Sequence, residues 1–178
     1  MIDPALPAKI VEAVTSVRSV AELLAVVAEV ARELVPAHQA AVTVVAGRWS
    51  SAAHAFSLSD KYAAWRTYDE NPDGSGIYRL VAELTTPMRL TQRELEAHPA
   101  WRGFSAAASR HPPMRGWLAA PLIGRRGRGI GVVQLTDRYE GEFTAVDETA
   151  LVALAGFTSV TLERIRQTAR ERRRASGA

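Results

Sequence analysis

Residues 115–165 read RGWLAAPLIGRRGRGIGVVQLTDRYEGEFTAVDETALVALAGFTSVTLERI. Two short apolar runs, WLAAPLIG and IGVVQLTD, flank Arg125-Arg126-Gly127-Arg128. Gly124 and Gly129 stand at the ends of that link, where glycine can supply the positive φ of a tight reversal, and the arginines keep the tip in water. The spacing therefore predicts an antiparallel hairpin. Apolar side chains occupy both alternating faces of the first run, Trp117, Ala119 and Ile123 against Leu118, Ala120 and Leu122. A strand apolar on both faces belongs inside a sheet that is covered on both sides. Past Gly141, Thr144 is a good N-cap and Asp147 stands three positions on, where its carboxylate can meet free amides. The helix so predicted runs through Leu151, Leu154, Ala155, Thr158, Leu162 and Ile165. It continues into RQTARERRR, which has no core-facing residues, so its end is expected to leave the domain.

Upstream, Ile10, Val11, Val14 and Val17 recur at helical spacing, as do Leu23, Leu24, Val27, Val30, Ala31 and Leu34. A break at Arg18-Ser19 predicts two helical pieces, the second capped by Ser19 and ended by Pro36. Gln39–Ala46 is short and β-branched and reads as a strand, Gly47 as a turn, and Trp49–Ser57 as a weaker second strand. Asn71-Pro72-Asp73-Gly74 is a turn signal. Residues 76–84 look helical and Met88–Leu90 strand-like. Thr91 with Glu94 has capping-box spacing. From Trp101 to Pro113 the pattern is irregular.

The chain has 178 residues, the size of one domain with helical overhang. With no cysteine, thiol nucleophiles, disulfide chemistry, Cys-ligated zinc and iron–sulfur clusters are excluded. Of 22 basic and 19 acidic residues, six arginines lie in 164–174, with Glu163 and Glu171 among and beside them; the remainder carries 16 against 17. The basic character thus belongs to the tail, and the near-neutral body argues against a nucleic-acid-binding fold. Arginine outnumbers lysine 20 to 2, as in proteins of GC-rich genomes. No uninterrupted apolar run approaches the roughly 20 residues of a membrane span. The N-terminus, with Asp3 and no preceding basic residue, does not read as a signal peptide. A cytoplasmic location is expected.

In this order of elements the sequence resembles a GAF domain from about Val20 to Gln167, most specifically over residues 115–163. The resemblance implies an α+β, profilin-like fold: an antiparallel sheet of five or six strands, N- and C-terminal helices on one face, and loops and short helices over the other. Residues 1–19 would form a helical extension, 20–167 the GAF domain and 168–178 a basic helix end. Cyclic-nucleotide-binding members carry Asn-Lys followed by Phe-x-x-x-Asp-Glu. Here Phe143, Asp147 and Glu148 match the second half, while Asp137-Arg138 replaces Asn-Lys. The physical reading is a clasp between Arg138, at the end of the last strand, and Asp147-Glu148, at the start of the last helix. Cyclic nucleotide binding is not inferred.

The segment Tyr62 to Trp117 corresponds to the wall that such domains raise over the sheet. Tyr62, Trp65, Tyr78, Trp101, Phe104, His111 and Trp117 are its candidate ligand-binding residues. Packing without a ligand explains the same aromatics equally well, and Tyr68 belongs with them. Some GAF domains hold haem on one histidine, for which His111 is the candidate; a pocket-edge histidine is the simpler reading. Histidines 38, 54, 98 and 111 form no metal-ligand spacing. Enzymatic GAF domains reduce free methionine-(R)-sulfoxide with cysteine thiolates, and bilin-binding ones use motifs missing here. Neither a G-x-S-x-G elbow nor a phosphate-binding P-loop occurs.

The expectation is a non-enzymatic sensory or regulatory module without cofactor or metal. It would bind a small molecule or dimerise through its terminal helices, within a bacterial signalling protein of the two-component, sensor histidine kinase type. The alternative is a nucleic-acid-associated regulator using the arginines of hairpin and tail; the neutral body and the absence of a helix-turn-helix stand against it. No membrane partner is expected.

Overall fold

The computed structural model describes residues 6–46, 48–67, 77, 80, 81, 83, 85–101 and 111–177. Two helices, α1 (Leu6–Ser16) and α2 (Val20–Leu34), precede strands β1 (Ala37–Ala46) and β2 (Arg48–Leu58) and a 3-10 helix (Asp60–Trp65). Then follow β3 (Met88–Leu90), α3 (Gln92–Ala97), β4 (Trp117–Ile123), β5 (Gly129–Arg138) and α4 (Ala145–Ser176). The five strands form one antiparallel sheet in the order β2-β1-β5-β4-β3. Ile77, Leu80, Val81 and Glu83 are helical, as the sequence suggests for that stretch. The expected turns at Gly47 and at 71–74 lie outside the described residues, as do Tyr68, Tyr78 and Phe104.

β5 is central because it can be covered on both faces: every residue from Gly131 to Asp137 is buried. It approaches β1 so closely that a Cβ on Gly131 would lie 2.2 Å from the Thr43 carbonyl oxygen, so only glycine fits. The hairpin is as expected, but its left-handed residue is Gly127 (φ 67°), neither Gly124 nor Gly129. The Gly127 amide donates to the Gly124 carbonyl at 2.9 Å, closing a turn over 124–127. The residue after a type I turn must then turn left-handed to rejoin the strand, and Gly127 holds that place.

Three helix starts are capped as their spacing requires. The Ser19, Thr91 and Thr144 hydroxyls each accept from the amide three residues on, and the last two form full capping boxes with Glu94 and Asp147. Each cap stabilises by ~1 kcal/mol. One face of the sheet (Ala40, Val42, Val44, Leu118, Ala120, Leu122, Val133, Leu135) meets α1, α2 and α4 in the main core. α4 contributes Leu151, Leu154, Ala155, Leu162 and Ile165; residues 170–177 are exposed, so its last turns leave the core. By length and composition alone α4 contains a stretch apolar enough to cross a membrane, and 44% of that stretch is buried in the domain. The opposite face carries a smaller cluster of Ile77, Val81, Leu95, Met114, Trp117, Ala119 and Val132.

Candidate functional site

Strand alternation sends Gln39, Ala41 and Thr43 of β1 and Val132, Gln134 and Thr136 of β5 to the face away from the terminal helices. Gln39 stands opposite Thr136, and Ala41 and Ala119 flank Gln134 on either side. The result is a floor of buried polar side chains set between small ones. A buried polar group needs partners, and these bind the covering segment 113–117. The Gln39 amide donates to the Pro113 carbonyl at 2.7 Å, and Trp117 Nε1 donates to Gln134 Oε1 at 2.9 Å. Thr136 Oγ1 accepts from the Arg115 amide and donates to the Gly116 carbonyl, both at 2.8 Å. Among the described residues the space left over this floor, walled by Phe56, His111 and Met114, is about 20 Å³, room for one water.

The candidate aromatics fall into separate groups. Trp117 is fully buried and packs in the distal cluster, with Trp101 half-buried against it, so Trp117 is a core side chain with its N–H already engaged. Tyr62 and Trp65 lie on the 3-10 helix with ring centroids 5.6 Å apart. His111 sits at the small cavity, its Nδ1 2.6 Å from the Pro112 carbonyl oxygen.

Beside the floor lies an electrostatic knot that the sequence reading missed. Asp137 adopts φ 58°, which turns its carboxylate out of the sheet toward the 3-10 helix. Asp137 Oδ2 accepts from the Tyr62 hydroxyl at 2.6 Å and from Lys61 Nζ at 2.5 Å. Burial would raise the Asp137 carboxyl, but hydrogen bonds from Lys61 and Tyr62 outweigh it and hold it below the usual aspartate value. Burial first, and the Asp137 hydrogen bond second, push the Tyr62 phenol up to about 12. His38 is held low by burial and then by the Lys61 charge. Its Nδ1 lies 2.7 Å from Ser59 Oγ, beside the start of the same 3-10 helix.

The next residue points the other way. Arg138 Nε donates to Asp147 Oδ2 at 2.9 Å, and the same oxygen accepts from the Thr144 amide at 2.8 Å. Burial again opposes, and the Thr144 amide and Arg138 prevail, so Asp147 titrates below its usual value. Asp137 faces away from the helix, because its left-handed backbone reverses it. One part of the expected clasp is corrected. Glu148 pairs with Arg89 of β3 at 3.1 Å instead of Arg138, since consecutive helical residues point about 100° apart.

Gln39, Gln134, Thr136, Lys61 and Asp137 were thus overlooked as site residues. The available signal for Gln39, Gln134 and Thr136 was polar residues at even spacing inside otherwise apolar strands, QAAVTVVA and VVQLTD.

A family model described as a GAF domain matches residues 17–163. The fold is similar to the GAF domain of a phosphoenolpyruvate-protein phosphotransferase from Coxiella burnetii (19% identity, 92% of this chain and 94% of that one, TM-score 0.73). It is also similar to free methionine-R-sulfoxide reductase from Neisseria meningitidis, solved with its substrate (22%, 92% and 89%, TM-score 0.70). A third similar structure is the GAF domain of a putative sensor histidine kinase from Pseudomonas syringae (14%, 96% and 91%, TM-score 0.62). No curated protein matches the chain.

Proposed function

The chain belongs to the GAF domain family, and from that premise we propose that it is a non-enzymatic, cytoplasmic regulatory module that reports events on the distal sheet face through α4. One observation carries this reading. Adjacent residues at the end of β5 hold opposite layers: Asp137 binds Lys61 and Tyr62 over the distal side, and Arg138 binds Asp147 at the start of α4. A shift of the 3-10 helix would therefore act on the exit helix through a single peptide unit. A small molecule would reach Gln39, Gln134 and Thr136 by displacing the 113–117 segment that their side chains bind. The absence of cysteine separates this chain from thiolate-based sulfoxide reduction.

The second part of the reading is a homodimer through α4. Its outward face carries Val146, Val152, Phe157 and Val160, at 72%, 42%, 44% and 72% exposure. From Thr149 to Thr161 α4 carries no charged residue at all, which is unusual for a solvated helix face.

Hydrogen exchange on the Asp137→Asn variant tests the coupling. Faster exchange in the first turns of α4, with the main core unchanged, is expected. Exchange confined to the 3-10 helix would overturn it.

A further inference from the structure

An open groove of about 970 Å³ lies between the β4–β5 hairpin tip and the outer half of α4. The hairpin contributes Arg125, Arg126 and Arg128; α4 contributes Arg166, Arg170, Arg173 and Arg174. In sequence these are two separate basic patches, each readable as a solvated tip or helix end. The fold makes them the two walls of one channel. On α4 the four arginines recur at i, i+4, i+7 and i+8, so they share a face over about 12 Å.

Among the described lining residues, Glu163 and Glu171 are the carboxylates that oppose them, and both are engaged. Glu163 lies 3.9 Å from Arg125, and Glu171 accepts from the Gln167 amide at 2.9 Å. Among the described residues no ion pair joins Arg126, Arg128, Arg170, Arg173 or Arg174 to a carboxylate. Burial chiefly, with Glu163 opposing and Arg170 adding, lowers the Arg166 guanidinium. Unneutralised like charge facing a groove destabilises the protein alone and is relieved by a polyanion.

We propose that this groove binds the phosphodiester backbone of a nucleic acid, without reading its sequence. Arginine forks match phosphate oxygens bidentately. The arginine face of about 12 Å runs past roughly three phosphates of one duplex strand, at about 3.4 Å of axis each. Val45 and Ile130 are the apolar side chains of the lining, so it offers no anchor pocket of the kind that a peptide partner uses. Among the described residues no aromatic lines it, and backbone contact rather than base stacking is what the arginines offer. A flat anionic membrane would touch the rims and leave the concave centre unneutralised.

Fluorescence anisotropy of the full chain with a labelled duplex of mixed sequence is the test. Binding at low salt is expected, weakening roughly 100-fold between 50 and 200 mM salt, as for about four neutralised phosphates. Arg126→Gln/Arg128→Gln and Arg170→Gln/Arg174→Gln should each weaken it about tenfold while melting temperatures stay unchanged. Three results would overturn the proposal: no binding at 50 mM salt, wild-type affinity in the hairpin variant, or polyglutamate or phosphatidylserine vesicles competing as well as unlabelled duplex. The groove shares none of the residues of the Asp137–Arg138 junction, so this outcome is independent of the regulatory reading.

Discussion

Arg138 Nε meets Asp147 Oδ2 at 2.9 Å with both side chains largely sheltered, at 24% and 10% exposure, and that oxygen also caps α4. A single carboxylate thus fixes both where the helix begins and where it is tied to the sheet. Arg138→Ala should destabilise the domain by ~1–3 kcal/mol, since it strips a charged partner from a sheltered acid. Chemical denaturation at neutral pH measures it, and an unchanged midpoint would remove the clasp from the account of stability.

That pair was legible in the sequence because nine residues separate it and the cap spacing of Thr144 and Asp147 gives its geometry. The hairpin, the capping box at Thr91 and the two-piece N-terminal helix were legible for the same reason: each is a local pattern. Asp137 was not. Its partners lie 75 and 76 residues away, and nothing local announces a left-handed aspartate at a strand end. The pocket floor was hidden differently. Gln39 and Gln134 are buried only because the chain from Pro113 to Trp117 crosses over them.

Asp137 separates charge from backbone geometry. Asparagine tolerates the left-handed region and keeps an oxygen that accepts from Tyr62, so Asp137→Asn chiefly removes the charge, whereas Asp137→Ala also loses the acceptor and adds strain of ~1 kcal/mol. The alanine variant should melt lower than the asparagine one, and calorimetry of both would show it. Equal melting would mean that neither the acceptor nor φ at this position contributes to stability.

Acid should unfold the domain through Asp137 and Asp147 together. Both have folded values below their unfolded ones, so their contribution is fully present above the ordinary aspartate value of about 3.9. It is lost as pH falls through the depressed folded values. Tyr62 acts at the other end: its value is raised to about 12, so its contribution is present below about pH 10 and lost between there and 12. Denaturation midpoints followed across pH in wild type and Tyr62→Phe test both signs. The Phe variant should lose ~1–2 kcal/mol at pH 7 and flatten the alkaline limb.

Two hairpin glycines should respond very differently to alanine. At Gly127 a Cβ meets nothing within 4 Å, so the cost is the left-handed backbone alone, ~1 kcal/mol. At Gly131 the Cβ would lie 2.2 Å from a backbone oxygen of β1, and relief requires parting the two central strands. Gly131→Ala should cost several times more than Gly127→Ala, ~3 kcal/mol or above. Comparable unfolding midpoints for the two variants would contradict the β1–β5 approach.

Charge sets the orientation of the proposed dimer. A parallel pairing of α4 would lay two arginine-rich ends side by side, with Arg170, Arg172, Arg173 and Arg174 of each chain in mutual repulsion. An antiparallel pairing centred near Ala153 keeps the apolar stripes in register, Val146 against Val160, and holds the two basic ends apart on opposite sides of the dimer. The chain contains no cysteine, so engineered thiols report on this without background. Val160→Cys alone should form no disulfide-linked dimer, because the two copies are then far apart. An equimolar mixture with Val146→Cys should cross-link on mild oxidation, and Val160→Asp should give a monomer by sedimentation. Efficient cross-linking of Val160→Cys to itself would reverse the orientation, and a monomeric wild type would remove the dimer.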